Sequence, residues 1–374
     1  MEASLNLGNG NWATKEDSLL SYSDENGNFR PLPFDFTRGS TATVINKAGL
    51  METVDSGIAR IDFQGTADGS LLLEPASTNL ITYSEDFTSW NSYQATTNTT
   101  TSPRGNSVLF LDFEDVRMFP TTTISNSTEY TSSIYLKANK VADVKIRNVA
   151  AQDTVISLTT NWVRYELTAT SGSTSTNALL IDARFSEGLG AVGLEIALYA
   201  AQLEALPYAT SYIPTNGTTV TRAADTCTGA GDVTTFNGEE GVLFVEVALL
   251  DSSSPNWWLS ITDGTSTNSV ALVFESTGKT TARLDNTSGN QAYLSYAGDY
   301  SQNRKLAFKW KVGDFSLWID GYEVLTSSSG STIASGVLNS LQFNHGSGSN
   351  SLCGKVKQLQ VFKTALTDAE LQTL

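Results

Sequence analysis

Apolar and polar residues alternate along much of this chain with a period of two. In Tyr130–Ala138, Ile134, Leu136 and Ala138 share a face opposite Tyr135 and Lys137. In Val141–Val149, Val144 and Ile146 oppose Asp143, Lys145 and Arg147. In Trp162–Thr170, Val163, Tyr165, Leu167 and Ala169 oppose Arg164, Glu166 and Thr168. Successive strand side chains point to opposite faces, so this pattern predicts antiparallel sheet with one buried and one wet face. Ser107–Phe113, Ala178–Phe185 and Leu194–Ala201 read as further strands. A second block repeats the pattern. Leu243, Val245, Val247 and Leu249 share a face, and Leu306, Phe308, Trp310 and Val312 alternate with Lys305, Lys309 and Lys311. Trp310 is therefore a core residue. Phe315–Asp320 runs into Gly321, a hairpin signal. In Val356–Phe362 the apolar phase slips by one between Val356 and Leu359, which predicts a bulge. At the tail, Thr367 and Glu370 form a capping box flanked by a Leu366–Leu371 staple, so a short helix should close the module.

The two blocks meet at Ala201–Asp225, where Pro207, Pro214 and the turn pair Asn216-Gly217 stop regular sheet. Strands at short spacing with Gly, Ser and Asn turns predict sandwiches or jelly rolls. The expected fold is all-β: two antiparallel β-sandwich or jelly-roll domains in tandem, at 79–221 and 226–374. Residues 1–78 are expected to form an irregular N-terminal attachment segment, with short strands near Ala59–Phe63 and Ser70–Leu73. Two or three domains fit 374 residues.

Composition narrows the partners. Charged residues make up only 17% of the chain, and the net charge is −16. Nucleic-acid affinity rests on Lys and Arg neutralising phosphates, so a nucleic-acid partner is not expected. A neutral glycan is compatible with this acidity. No run of about 18 apolar residues exists to insert into a membrane, and no basic and then apolar leader opens the chain, so cytoplasmic synthesis without export is expected. Cys227 and Cys353 lack metal-ligand spacing; two buried free thiols are the favoured reading over a bridge.

Catalytic signals are sparse. The one histidine, His345 in FNHGSGSN, has no triad context and reads as a loop residue without a job. Glu246 and Glu275 each stand alone on a strand. Asp24-Glu25-Asn26 and the group Asp112, Glu114 and Asp115 suggest solvated turns over calcium loops. No catalytic residue, metal or cofactor is expected. Sugar sites pair an aromatic platform with polar neighbours. Trp257 and Trp258 are adjacent on a strand, so one should enter the core while the other serves as a ligand platform or an inter-subunit contact. Trp90 and Tyr93 in TSWNSYQ form a plausible loop site, although Trp90 could equally cap the core edge. Tyr296, with Tyr293 and Tyr300, lines a strand face or a loop. Trp162 is ambiguous, and Trp12 could belong to a docking segment.

Several motifs resemble known families. FTRGSTATVINKAGLMETV (Phe36–Val54), LLLEPASTNL (Leu71–Leu80) and ATSYIPT followed by TRAAD are similar to segments of tailed-phage virion proteins that carry a carbohydrate-binding-like jelly roll. NLITYSEDFTSWNSY (Asn79–Tyr93) resembles the start of family 4/9-type carbohydrate-binding modules. FSLWIDG and GKVKQLQVFKTALTDAELQTL resemble the end of concanavalin A-like lectin domains, including the laminin-G-like and pentraxin-like groups. The resemblance implies a structural protein on a virion surface, a head fibre, spike or tail adhesin, that binds cell-surface glycans. It would contact other virion proteins through its N-terminal segment and assemble as a homo-oligomer such as a trimer. The alternatives are a polysaccharide-degrading enzyme or its non-catalytic module, and a decoration protein without ligand.

Overall fold

A computed structural model describes residues 2–23, 30–149, 153–172, 178–251 and 256–374. The Asp24-Glu25-Asn26 turn lies outside them. The architecture is nearly all antiparallel β-sheet, as expected. The chain forms two compact units. The first comprises Met1–Thr41, Val54–Pro75 and Ala224–Leu374; the second comprises Ala42–Thr53 and Ala76–Ala223.

The first unit corrects the N-terminal expectation. Leu5–Gly8, Ser18–Ser23 and Arg30–Thr37 are strands of its larger sheet, and Ser70–Leu73 joins them. Leu5–Gly8 pairs with Gly354–Phe362 in the register Leu5↔Val361. Arg30–Thr37 is a strand despite Pro31 and Pro33. Its Leu32, Phe34 and Phe36 point inward, while both prolines are exposed. One side of this strand pairs only at Asp35–Thr37, so among the described residues the prolines lie on an open edge, where a missing N–H costs no ladder bond.

The centre of that sheet is Glu240–Leu249, set between Gly354–Phe362 and Arg304–Lys311. Trp310 is fully buried there. The expected bulge is present: Glu246 pairs with Gln358 and Val247 with Val356, leaving Lys357 unmatched. Gly8 approaches this bulge so closely that a Cβ would stand 2.3 Å from the Lys357 carbonyl oxygen, and its φ is +89°. A facing sheet runs Gly289–Ala297, Lys279–Asn286, Ser269–Glu275, Trp257–Thr262, Ser340–Gln342. The tail helix Asp368–Leu371 has its capping box, with Thr367 and Glu370 exchanging hydrogen bonds. Leu366 and Leu371 both enter the core.

The second unit packs a sheet of Ala95–Thr101, Ser107–Asp112, Glu195–Glu204, Glu129–Ala138 and Val163–Thr170 against one of Arg117–Met118, Leu180–Asp182, Ala142–Arg147 and Asp153–Leu158. Ile134, Leu136, Val144, Ile146, Ile196 and Leu198 fill the space between them. Ala95–Thr101 carries no large apolar residue, and in Asp153–Leu158 the adjacent Val155 and Ile156 break the period of two, so neither strand shows in the pattern.

The motifs of the phage resemblance are stitching. Arg38, Arg60, Glu74 and Asp225, from FTRGS, the Arg60–Asp62 strand, LLLEP and TRAAD, form one buried ionic group in the first unit. The Glu74 amide also donates to Asp225 at 2.9 Å. In the second unit, Asn79 donates to the carbonyls of Ala201 and Ile213 and accepts from the amides of Ile81 and Leu203. Glu204 takes hydrogen bonds from Ser77, Gln202 and Thr210. Burial pushes its carboxyl above the ordinary range despite those bonds.

Candidate functional site

The five-stranded sheet of the first unit has two chemically different faces. Leu259, Ile261, Leu272, Ala282 and Leu284 are buried on one of them. The other carries Trp258, Glu275, Arg283, Asp285 and Tyr293, and the register Ala271↔Arg283↔Tyr293 sets Arg283 beside Tyr293. Period-two alternation therefore builds this outer polar face from strands whose inner residues make the core.

The groups on that face are held in place by one another. Arg283 makes a two-pronged contact with Asp285, at 2.5 and 3.1 Å, and its guanidinium lies 5.5 Å from the centre of the Trp258 ring. Glu275 accepts from Thr281 at 2.5 Å and from Tyr293 at 2.8 Å. Burial opposes the Glu275 charge, but the bonds from Thr281, Tyr293 and Thr277 outweigh it and hold the carboxyl below its usual range. Bonding to Glu275 in turn raises the Tyr293 phenol. Tyr293 is 54% exposed, so its ring is an open surface beside a fixed carboxylate and a fixed guanidinium.

A loop at 344–350 covers the remaining part of the face. The Ser260 hydroxyl donates to the Asn344 carbonyl at 2.6 Å, and the Trp258 amide donates to the Asn350 carbonyl at 3.1 Å. His345 packs edge-on against Trp258 with ring centres 4.3 Å apart. Contrary to expectation this histidine has a job, as a cover for the indole. Burial, and then the Arg283 charge, lower its pKa. Gly346 allows the crossing, since a Cβ there would stand 2.5 Å from the Thr265 carbonyl oxygen. The Trp258 Nε1, Ser269 Oγ and Asn344 Oδ1 atoms are buried without a hydrogen-bond partner among the described residues. They are spare polar groups beneath this surface.

The predicted platform residues fare differently. Trp257 and Trp258 are both buried, at 6% exposure each. Alternation does send them to opposite faces, but Arg283 and His345 cover Trp258, so it supports the site from beneath without serving as an open platform. Trp90 is core: it packs edge-on against Phe87 and donates from Nε1 to the Tyr83 carbonyl. Tyr93 packs against the same core, half-buried. Tyr296 is exposed, on the same strand as Tyr293 but three residues on and so on the other face. Arg283 and Asp285 were missed because a charged pair two residues apart on a strand is also what any solvated face shows. Nothing local in the sequence distinguishes Tyr293 from Tyr296 and Tyr300, because its contact with Glu275 comes from another strand.

In the second unit the corresponding aromatic face is occupied by the chain itself. Met51 and Ile45 pack on Tyr199, Tyr212, Tyr135 and Trp162. Trp162 donates from Nε1 to the Thr101 carbonyl. Burial, and then the nearby Glu85 charge, raise the Tyr199 phenol to about 12.

The acidic group near Asp112 is a turn. Asp112 accepts from the Glu114 amide, Glu114 from the Gly193 amide and Asp115 from the Phe185 amide. Among the described residues no group of three or more His, Cys, Asp or Glu is placed to hold a metal ion. Cys227 and Cys353 are buried and form no disulfide. Among the described residues no helix is long and apolar enough to cross a membrane.

No family model matches this chain, and no curated protein matches it. Among solved structures it is similar to the CBM40 of Ruminococcus gnavus IT-sialidase bound to α2,3 sialyllactose, with 18% identity over 39% of this chain and 92% of that one, at a TM-score of 0.33. It is also similar to NanB sialidase from Streptococcus pneumoniae, with 13% identity over 38% of this chain and 25% of that one, at 0.32. Domain 4 of AbnA, a GH43 arabinanase from Geobacillus stearothermophilus in complex with arabinotriose, gives 12% identity over 40% of this chain and 72% of that one, at 0.29. These overlaps are too loose to transfer a site or a ligand.

Proposed function

We propose that this chain is a non-enzymatic glycan-binding protein of a virion surface, and that it holds sugar on the outer face of the five-stranded sheet. The observation that carries the glycan reading is the open Tyr293 ring flanked by the fixed Glu275 carboxylate and the fixed Arg283 guanidinium. A pyranose presents C–H bonds on one face and hydroxyls at its rim. A flat ring beside an immobile acceptor and an immobile donor matches both. The virion location rests on the motif resemblance alone. Many weak contacts per particle would then give useful avidity.

The geometry argues against a glycosidase on this face. Glu275 pairs with Lys279, and Asp285 pairs with Ser269, six residues along the same strand. That places their backbones about 20 Å apart. Two-carboxylate hydrolysis needs separations of about 5–10 Å and one acid with a raised pKa. Glu275 is instead held low.

Glycan-array binding of the purified chain, compared with Tyr293→Ala and Arg283→Ala, tests the sugar site. Signals that both substitutions remove, with unchanged melting, are expected. A silent array, or an array in which no glycan loses its signal with both substitutions, would overturn the site. Antibody labelling of purified particles tests the location.

A further inference from the structure

Tyr296 opens onto a second depression of about 550 Å³, which is also lined by Tyr300, Asp299, Arg304, Asp320 and Tyr322. It lies within the first unit, where the edge strand Gly289–Ala297 of one sheet meets the edge strand Tyr322–Ser327 of the other. Its volume falls within the roughly 300–1,000 Å³ usual for small-molecule sites.

Two flat rings flank it. Tyr322 is 75% exposed and Tyr296 is 41% exposed, whereas Tyr300 is buried at the base. Each ring offers a flat apolar face to the depression.

The polar groups of the depression are fixed as well. Asp320 sits in a tight turn with φ +50°, followed by Gly321 at +80°. Side chains rarely adopt such a conformation. Here the turn is held because Asp320 accepts from the Lys305 amide at 3.0 Å and from Arg304 Nη1 at 2.7 Å. Arg304 also donates from Nε to the Asp299 carbonyl. The Asp299 carboxylate is occupied by the Ser301 amide and hydroxyl. The depression thus offers a preorganised donor and acceptor between two rings. Two carboxylates against one guanidinium leave it net negative, which disfavours an acidic ligand.

We infer that this depression is a second carbohydrate site, separate from the outer face, and that it takes a neutral pyranose between Tyr296 and Tyr322 with Arg304 and Asp320 on vicinal hydroxyls. Tyr293 and Tyr296 point to opposite faces of one strand, so a single sugar ring cannot lie on both.

The two sites are distinguished by ¹³C-tyrosine NMR of the whole chain. The probes are the methyl pyranosides of glucose, galactose, mannose and N-acetylglucosamine, with methyl glucuronide as the acidic control. At least one neutral glycoside should shift the Tyr296 and Tyr322 ring signals saturably, and the glucuronide should bind more weakly. Tyr322→Ala should weaken that binding about fivefold, while Tyr293→Ala should leave it unchanged. Because Tyr322 is so exposed, its removal should not unfold the chain, and an unchanged melting curve verifies this. Silence of both rings across the panel would overturn the inference, as would shifts unaffected by Tyr322→Ala or stronger binding of the glucuronide. Shifts at Tyr293 report the outer face independently, so either site can fail without the other.

Discussion

Arg60 and Glu74 meet at 2.7 Å, Nη1 to Oε2, with both side chains sealed from water. Asp225 closes on Arg60 from the other side and on Arg38 at 3.2 Å. Burial works against the Arg60 charge, but the two carboxylates more than compensate and raise its pKa. Breaking one member of a buried ionic group strands the others without a counter-charge. Arg60→Met should therefore cost about 3–5 kcal/mol in urea unfolding. A loss below about 1 kcal/mol would mean that water replaces the guanidinium at little cost.

Glu204 predicts a pH effect in the opposite sense from most carboxylates. Its folded pKa is raised, so the native state holds the proton more tightly than the unfolded chain does. The contribution to stability is complete below the ordinary value of 4.5, and it is lost as pH rises through the folded value. Melting temperatures of Glu204→Gln against the natural chain, measured from pH 4 upward, should show a flatter profile for the variant. Parallel profiles would place the proton elsewhere.

His345 is the chain's one histidine, so its imidazole signals are unambiguous in NMR. Its folded pKa is lowered, first by burial and then by Arg283. The native state therefore binds the proton less well than the unfolded chain, and stability should be lost as pH falls below 6.5. The titration midpoint should lie below 6.5, and the Trp258 indole signal should move with it. A midpoint at or above 6.5 would contradict the packing of the 344–350 loop.

Thr367 caps the tail helix, accepting from the Glu370 amide and returning its own amide to the Glu370 carboxylate at 2.8 Å. Thr367→Ala should cost about 1 kcal/mol by thermal unfolding. The same substitution at the exposed Thr326 should be nearly silent. Equal effects at the two positions would remove the cap as the cause.

What the sequence conveyed was local. Strand phase, the Lys357 bulge and the Thr367 cap each depend on neighbours a few residues away, and each is present. The partners of Arg60 and the contact between Glu275 and Tyr293 depend on pairings across many residues, which a period of two cannot encode. Pro31 and Pro33 are compatible with a strand only because of which edge is open, a tertiary fact. The two adjacent tryptophans were correctly sent to opposite faces. Whether the outward one is bare depends on Arg283 and His345, from elsewhere in the chain.

The pairing of Leu5–Gly8 with Gly354–Phe362 sets an order of events during synthesis. About 350 residues separate Leu5–Gly8 from its partner, and all of them must leave the ribosome before the two strands can meet. Until then Leu5 and Leu7 stay uncovered, alongside a second unit whose own pairings span a far shorter length of chain. The first unit should thus mature last, through a long-loop closure of the kind that slows folding. A chain arrested before Gly354 would carry the second unit already formed while the first still waits for Gly354–Phe362.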